Sequence, residues 1–259
     1  MSKMKRLVLG LILFGLISVK YGQYGALVEY KKTTWAELKT SKLYVVYEDD
    51  GNSNYDKALK EAIVSNWTFS EVEYINYDKY EEIQKDESNF FLLSVDFTKT
   101  ESGRYNQELS YLYLIRGYKK GAKKGDISNF PRLATLQTGE SNREAYITLL
   151  IKHLDLSINQ VMSGKIKSLG DNTKQLNANR SKIKSKMLYV LDTDLNSKVK
   201  SISDIKSGYV GKISVVSKEE LSKHIKAGED VNVFFCARSS AKSFVPRVAS
   251  SKAAGSEPP

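Results

Sequence analysis

The chain has 259 residues, 40 Lys+Arg against 30 Asp+Glu, with 41% hydrophobic and 27% charged residues. Four prolines and 16 glycines exclude a collagen-like or low-complexity protein, and the apolar fraction excludes wholesale disorder. The length suits one large domain or two small ones.

Lys3, Lys5 and Arg6 precede the apolar run Leu7 to Val19, and the small and polar stretch Lys20 to Ala26 follows it. That order of regions predicts a secretory signal peptide over residues 1–25, cut after Gly22 or Gly25. The 13 residues of the run rise about 20 Å as a helix, short of the roughly 30 Å a membrane-spanning helix must cross. A buried N-terminal helix or an uncleaved anchor fits less well, and no transmembrane span is expected once the signal is removed. Without a cysteine near the cut, no lipid-modified terminus is expected either. The mature chain is therefore expected in the periplasm or outside, in a bacterial envelope. Its loss of four basic and no acidic residues lowers the formal charge from +10 to +6. That charge suits solubility and mild attraction to anionic surfaces, with no nucleic-acid partner implied.

Cys236 is the only cysteine, so no intramolecular disulfide or Cys-rich metal site can form. Its neighbours Val233, Phe234, Phe235 and Ala237 predict a core strand position.

Strands and helices alternate along the chain. Leu43 to Tyr47 reads as a buried strand, and the turn-rich Glu48 to Asn54 ends it. Tyr55, Leu59, Ala62, Ile63 and Trp67 recur at helical spacing, with Asn54 as the expected cap. Val72 to Ile75 predicts a second strand, Asp78 to Gln84 a short acidic helix, and Phe90 to Val95 a third strand. The alternation through Glu108 to Ile115 gives a fourth strand, and Leu133 to Gln137 gives a fifth. From Arg143 to about Met162, the positions Ile147, Leu150, Ile151, Leu154, Ile158 and Val161 form a helical stripe. Such a stripe needs a sheet to cover it. Residues 163–186 carry seven basic residues against Asp171 alone and read as a basic polar linker. Beyond it, Met187 to Leu191, Lys212 to Val216 and Val231 to Cys236 read as strands, with a weak helix from Val199 to Ile205. A further helix follows Ser217, whose pairing with Glu220 is a capping box. Residues 238–259 read as a disordered tail.

The second set of strands echoes the first. Leu43-Tyr44-Val45-Val46 parallels Leu188-Tyr189-Val190-Leu191, Val72 to Asn76 parallels Ile213 to Ser217, and Phe90 to Leu93 falls opposite Val231 to Phe234. The expectation is an α/β protein of two small βαβαβ modules, residues 26–162 and 187–237, arising by duplication or by shared patterning alone. The first is larger and carries the long amphipathic helix on its sheet. The second lacks the later strands and long helix of the first in this pattern, which leaves an edge or face for another protein to cover.

Candidate sites are few. Glu48, Asp49 and Asp50, and likewise Asp192, Asp194 and Asn196, follow the first strand of a module, where open α/β sheets place ligand crevices. Asp192-x-Asp194-x-Asn196 also begins like a calcium loop. Ser197 replaces the glycine due next and Ser203 the twelfth-position acid, so solvated turn carboxylates are the simpler reading. His153 and His224 have no second ligand at metal spacing and no nucleophile elbow beside them, and no glycine-rich phosphate loop follows any strand. No metal or cofactor is expected. Tyr74, Tyr77, Tyr80, Tyr111, Tyr113 and Tyr118 crowd the first module, as sheet packing or as stacking platforms for sugars and peptides. Lys119, Lys120, Lys123 and Lys124 form a basic turn that could contact an anionic lipid or polymer surface.

The pairing of the signal segment with Lys42 to Tyr47, a helix ending at Trp67 and the strand Glu71 to Asn76 resembles uncharacterised exported proteins of Bacteroidetes-type bacteria. The resemblance covers about residues 1–160 and implies a compartment, with no active residues to carry over. The reading is an exported envelope protein that binds or assembles without catalysis, its partner an envelope protein or glycan. Two alternatives are a carboxylate-based, glycosidase-like hydrolase and an adaptor on anionic membrane or polymer surfaces.

Overall fold

A computed structural model describes residues 26–101, 105–118, 131–138, 143–184, 186–194, 203, 211–227, 232–235 and 247–250. The signal segment, the basic turn Lys119–Lys124, Asn196, Cys236 and most of Val199 to Ile205 lie outside the described residues.

The first sheet joins β1 (Ala26–Leu27), β2 (Lys42–Val46), β3 (Glu71–Ile75), β4 (Phe90–Glu101), β5 (Tyr105–Arg116) and β6 (Arg132–Gln137) in the order β1-β6-β5-β4-β2-β3. β2 runs parallel to β3 and β4, and the remaining pairs are antiparallel. Two of its crossovers carry α2 (Asn54–Asn66) and α3 (Tyr77–Ile83), while α1 (Lys32–Thr40) precedes β2 and α4 (Arg143–Ser163) follows β6. The α/β architecture expected from the alternation is therefore present.

Alternation along the strands decides which helix covers which face. Leu43 and Val45 of β2, Phe90 and Leu92 of β4, and Leu112 and Leu114 of β5 point to one face and are completely buried. Trp35 and Leu38 of α1, Leu59 and Ile63 of α2, and Ile147, Ile151, Leu154, Ile158 and Val161 of α4 close over them. Each such side chain contributes about 1.5–3 kcal/mol on leaving water. The opposite face gathers Val46, Ile75, Phe91, Leu93, Tyr113 and Ile115 around Tyr80 of α3.

Local chemistry sets the helix ends. Ser53, not the expected Asn54, caps α2, its Oγ accepting from the Asp56 N–H at 2.9 Å. Asn76 caps α3 by accepting from the Lys79 N–H. Gly117 is needed for space: a Cβ there would lie 1.8 Å from the Asp86 carbonyl oxygen. Without one, its N–H reaches the Asn89 carbonyl at 2.8 Å.

The second sheet joins β7 (Leu188–Leu191), β8 (Ile213–Val216), β9 (Asn232–Phe235) and β10 (Arg247–Ser250) in the order β10-β9-β7-β8. Its strand order and directions repeat those of the β5-β4-β2-β3 part of the first. Leu43 of β2 stands level with Val72 and Phe90 on its two parallel neighbours; Leu188 of β7 stands level with Ile213 and Asn232. Both central strands bury their first, third and fourth of these residues and half-bury the second, Tyr44 or Tyr189. α6 (Lys218–Lys226) starts at Ser217 with the expected capping box. Its buried Leu221 occupies the place of Tyr80 in α3, four residues after the cap.

Two expectations are corrected. Within 163–186, residues Leu169–Lys184 form a helix, α5. Its large apolar residues are only Leu169, Leu176 and Ile183, one in every two turns, too sparse a stripe to stand out among the lysines and amides. In the supposed disordered tail, Arg247–Ser250 pairs antiparallel with β9, Val248 against Phe234. A four-residue strand with one large apolar side chain offers no alternation to read. The second module thus has an antiparallel strand where the sequence pattern predicts none. Among the described residues, no helix is long and apolar enough to cross a membrane.

Candidate functional site

The carboxyl end of β2 is the place where parallel α/β sheets hold ligands. Here the chain turns sharply, Asp50 at φ +47° and Gly51 at φ +84°. Asp56, in the first turn of α2 and with no exposed surface, holds the turn. Its Oδ1 accepts from the Glu48 N–H at 3.0 Å, and its Oδ2 accepts from the Asp49 and Gly51 N–H groups at 2.9 and 3.2 Å. A carboxylate at a helix N-terminus is also favoured by the helix dipole. Sequence reasoning passed over Asp56; its signal was the spacing Ser53-x-x-Asp56, a variant of the capping pattern.

Glu48 is fixed from the other side. Arg143, the first residue of α4, donates through Nη1 and Nη2 to its two carboxylate oxygens at 2.8 and 2.9 Å. The guanidinium also lies 4.3 Å from the centroid of the Tyr55 ring. The Tyr55 hydroxyl accepts from Ser94 Oγ of β4 at 3.0 Å, and burial pushes its phenol well above the ordinary range. A bidentate, ring-stacked guanidinium is a rigid element. Of the three expected site acids, Glu48 is therefore tied to α4, while Asp49 and Asp50 stand exposed on the turn.

Beside that turn, Tyr47 and Tyr74 stack with centroids 5.3 Å apart, and the Lys60 ammonium lies 5.5 Å from the Tyr74 ring. Burial pushes the Tyr74 phenol up to about 12. The other tyrosines gather across the sheet. Tyr80 meets Phe91 edge-on at 5.0 Å, Tyr111 stacks on Tyr113 at 5.7 Å, and Tyr118 donates to Gln84 Oε1 at 2.8 Å. Of the tyrosines expected to crowd the first module, Tyr74 packs with the first apolar cluster, and Tyr80, Tyr111 and Tyr113 pack with the second on the opposite face.

In the second module, Asp192 accepts from the Thr193 N–H at 2.7 Å within a 3₁₀ turn, Asp192–Asp194. This is turn chemistry, with the third expected oxygen, Asn196, outside the described residues. Among the described residues, no group of three or more His, Cys, Asp or Glu is arranged so that it could hold a metal ion. His224 stacks on Tyr189 at 4.6 Å. His153 approaches Ser157 Oγ only to 3.5 Å. Asp155 accepts from the Thr68 N–H at 2.8 Å and from Asn159 Nδ2 at 3.0 Å.

The start of α4 links the two modules. Arg143 reaches Glu48 in the first, and Glu144 accepts from Lys218 Nζ of α6 at 2.8 Å. Ala145, Tyr146 and Leu149 pack with Leu191, Val216, Leu221 and Ile225, and Lys226 pairs with Glu61 of α2 at 2.6 Å. Partial burial pushes the Glu144 carboxyl up. The Lys218 hydrogen bond and the charges of Lys218 and Arg143 outweigh it and leave the group below the usual glutamate range. A carboxyl depressed in the folded state contributes stability above its unfolded value, about 4.3, and loses it as pH falls through the folded value. Urea midpoints of Glu144→Gln are expected below those of the parent at pH 7, with the difference closing below about pH 4. A difference independent of pH would contradict the assignment.

Comparison with family models, curated proteins and solved structures gives no match.

Proposed function

We propose that the chain is an exported envelope protein that works as a binding and assembly module rather than as a catalyst. The observation that carries this is the use made of the carboxylates where a crevice was expected. Glu48 is held by Arg143 on both oxygens, and Asp56 accepts three backbone N–H groups. General acid–base work needs a carboxyl that can exchange its proton in contact with substrate; these two carboxylates instead fix the strand end and orient α4. The exposed Asp49 and Asp50 beside the Tyr47–Tyr74 pair offer acceptors and ring faces, which suit recognition of a glycan or a basic peptide segment. Export rests on the cationic, apolar and small-residue order of residues 1–25, and the module's partner is an envelope protein or glycan.

The test combines fractionation with capture. Expressed with its own N-terminus in a bacterium, the protein is expected outside the cytosol, starting after Gly22 or Gly25. Envelope glycan fragments are expected to bind saturably and to be recovered unchanged, with binding weakened by Asp49→Asn together with Asp50→Asn. A cytosolic chain retaining Met1 would overturn the compartment, and cleavage of the bound glycan would overturn the non-catalytic reading.

A further inference from the structure

We propose that Asp50 and Gly51 form a modification site, at which the Asp50 side chain cyclises onto the Gly51 nitrogen and reopens as isoaspartate whenever the Asp56 clamp lets go. The chain holds one Asp-Gly step and no Asn-Gly step. The carboxyl carbon of Asp50 lies two bonds from Cα, so attack by the next residue's nitrogen closes a five-membered ring. Glycine leaves that nitrogen without side-chain cover. Asp50 is also exposed, so water reaches both the carboxyl and the ring that it forms.

The fold decides when this chemistry runs. Asp50 at φ +47° and Gly51 at φ +84°, with the Asn52 N–H donating to the Asp49 carbonyl at 2.7 Å, make a type I′ turn. The first central residue of such a turn has ψ of about +30°, which puts Asp50 Cβ and Gly51 N on opposite sides of the Cα–C bond. The ring needs them eclipsed. Closure therefore swings the Asp50–Gly51 peptide through nearly half a turn, and the Gly51 N–H must leave Asp56 Oδ2, 3.2 Å away. That carboxylate also holds the Glu48 and Asp49 N–H groups. Gly51 lies against the Tyr47 ring, whose Cε2 would stand 3.2 Å from a Cβ placed there. Each of these contacts opposes the swing.

In the step itself the Gly51 nitrogen attacks Cγ of the Asp50 carboxyl in its protonated form. The N–Cγ bond forms, the Cγ–OH bond breaks, and the hydroxyl leaves with the nitrogen's proton as water, giving a succinimide. Water then opens the ring at either carbonyl. Opening at Cγ restores aspartate. Opening at the main-chain carbonyl leaves isoaspartate, whose backbone runs through Cβ and Cγ beside a free α-carboxylate, at the mass of the parent. No oxidant, reductant or further reactant enters. The turn has then gained one backbone carbon, so the Asn52 to Asp49 bond no longer closes its ring and the strand end stays loosened.

The test ages the full mature chain in warm neutral buffer made with heavy-oxygen water, then follows the tryptic peptide from Leu43 to Lys57 by chromatography and mass spectrometry. Isoaspartate at Asp50 is read as a separately eluting peptide of parent composition carrying one heavy oxygen; deamidation of Asn52 or Asn54 is told apart by its change of mass. The chain unfolded in guanidinium is expected to accumulate it steadily, and the folded parent more than about tenfold more slowly. Asp56→Ala, folded by circular dichroism, is expected to form it more than about tenfold faster than the folded parent, because freeing three N–H groups raises the opened population that reacts. A folded parent as fast as the unfolded chain, an Asp56→Ala chain no faster than the parent, or an unfolded chain that forms none at Asp50 would each overturn the inference. If Asp56→Ala does not fold, the parent in guanidinium below its unfolding midpoint decides. Isoaspartate formation is then expected to rise in step with amide exchange at Gly51, and formation indifferent to that exchange would overturn the inference as well. None of these measurements involves a ligand, so the outcome is independent of whether envelope glycan binds.

Discussion

Asp56→Ala is expected to lower the stability of the fold by on the order of 3 kcal/mol, read as a lower urea midpoint at unchanged slope. The substitution strips the acceptor from three backbone N–H groups at once, those of Glu48, Asp49 and Gly51. The side chain lost is fully buried, and each donor left unmatched costs about 1–3 kcal/mol where water cannot replace the bond. The turn also contains Asp50 at positive φ, a conformation that needs outside support in a residue other than glycine. Asp56→Asn keeps one acceptor oxygen and should lose less. Asp49→Ala, on the exposed side of the same turn, should fall within about 0.5 kcal/mol of the parent. If the Asp56 and Asp49 variants were equally stable, the account of this strand end would fail.

Leu221→Ala is expected to cost about 2–5 kcal/mol, and to cost it unevenly. Leu221 is completely buried in the cluster that α6 shares with Ala145, Tyr146 and Leu149 of α4. A cavity there loosens the second sheet from its support while leaving the stripe from Ile147 to Val161 on the first sheet intact. Amide exchange in β7, β8 and α6 is expected to quicken more than about tenfold, a factor that needs only 1.4 kcal/mol, with β2 and β4 unchanged. Uniform acceleration across both sheets would show one cooperative unit instead of a second module resting on the first.

Much of this architecture could be read from patterns with strong physical causes. The parallel strands are short runs of β-branched and aromatic residues, and α4 keeps an apolar stripe through Ile147, Ile151, Leu154, Ile158 and Val161. The box at Ser217 and Glu220 fixed the start of α6. The missed elements are those in which few side chains carry the burial. α1 buries only Trp35 and Leu38 and has no side-chain cap, β1 owes its place to β6, with Ala26 against Thr135 far along the chain, and β10 owes its place to the short strand β9. The site divides in the same way. The acidic strand ends could be located because turns concentrate such residues. The Arg143–Glu48 pair joins positions 95 residues apart, and no local pattern reports a contact at that distance.

Because α4 serves both cores, synthesis of the chain meets a fixed order. Every residue of the first sheet's two apolar clusters exists once Ile166 is made, whereas the second cluster waits for Ile225. In that interval the Ala145, Tyr146 and Leu149 flank of a finished helix faces water as a greasy strip. The late strands then assemble on a prepared bed, and a chain halted before residue 187 would carry that strip uncovered and clump.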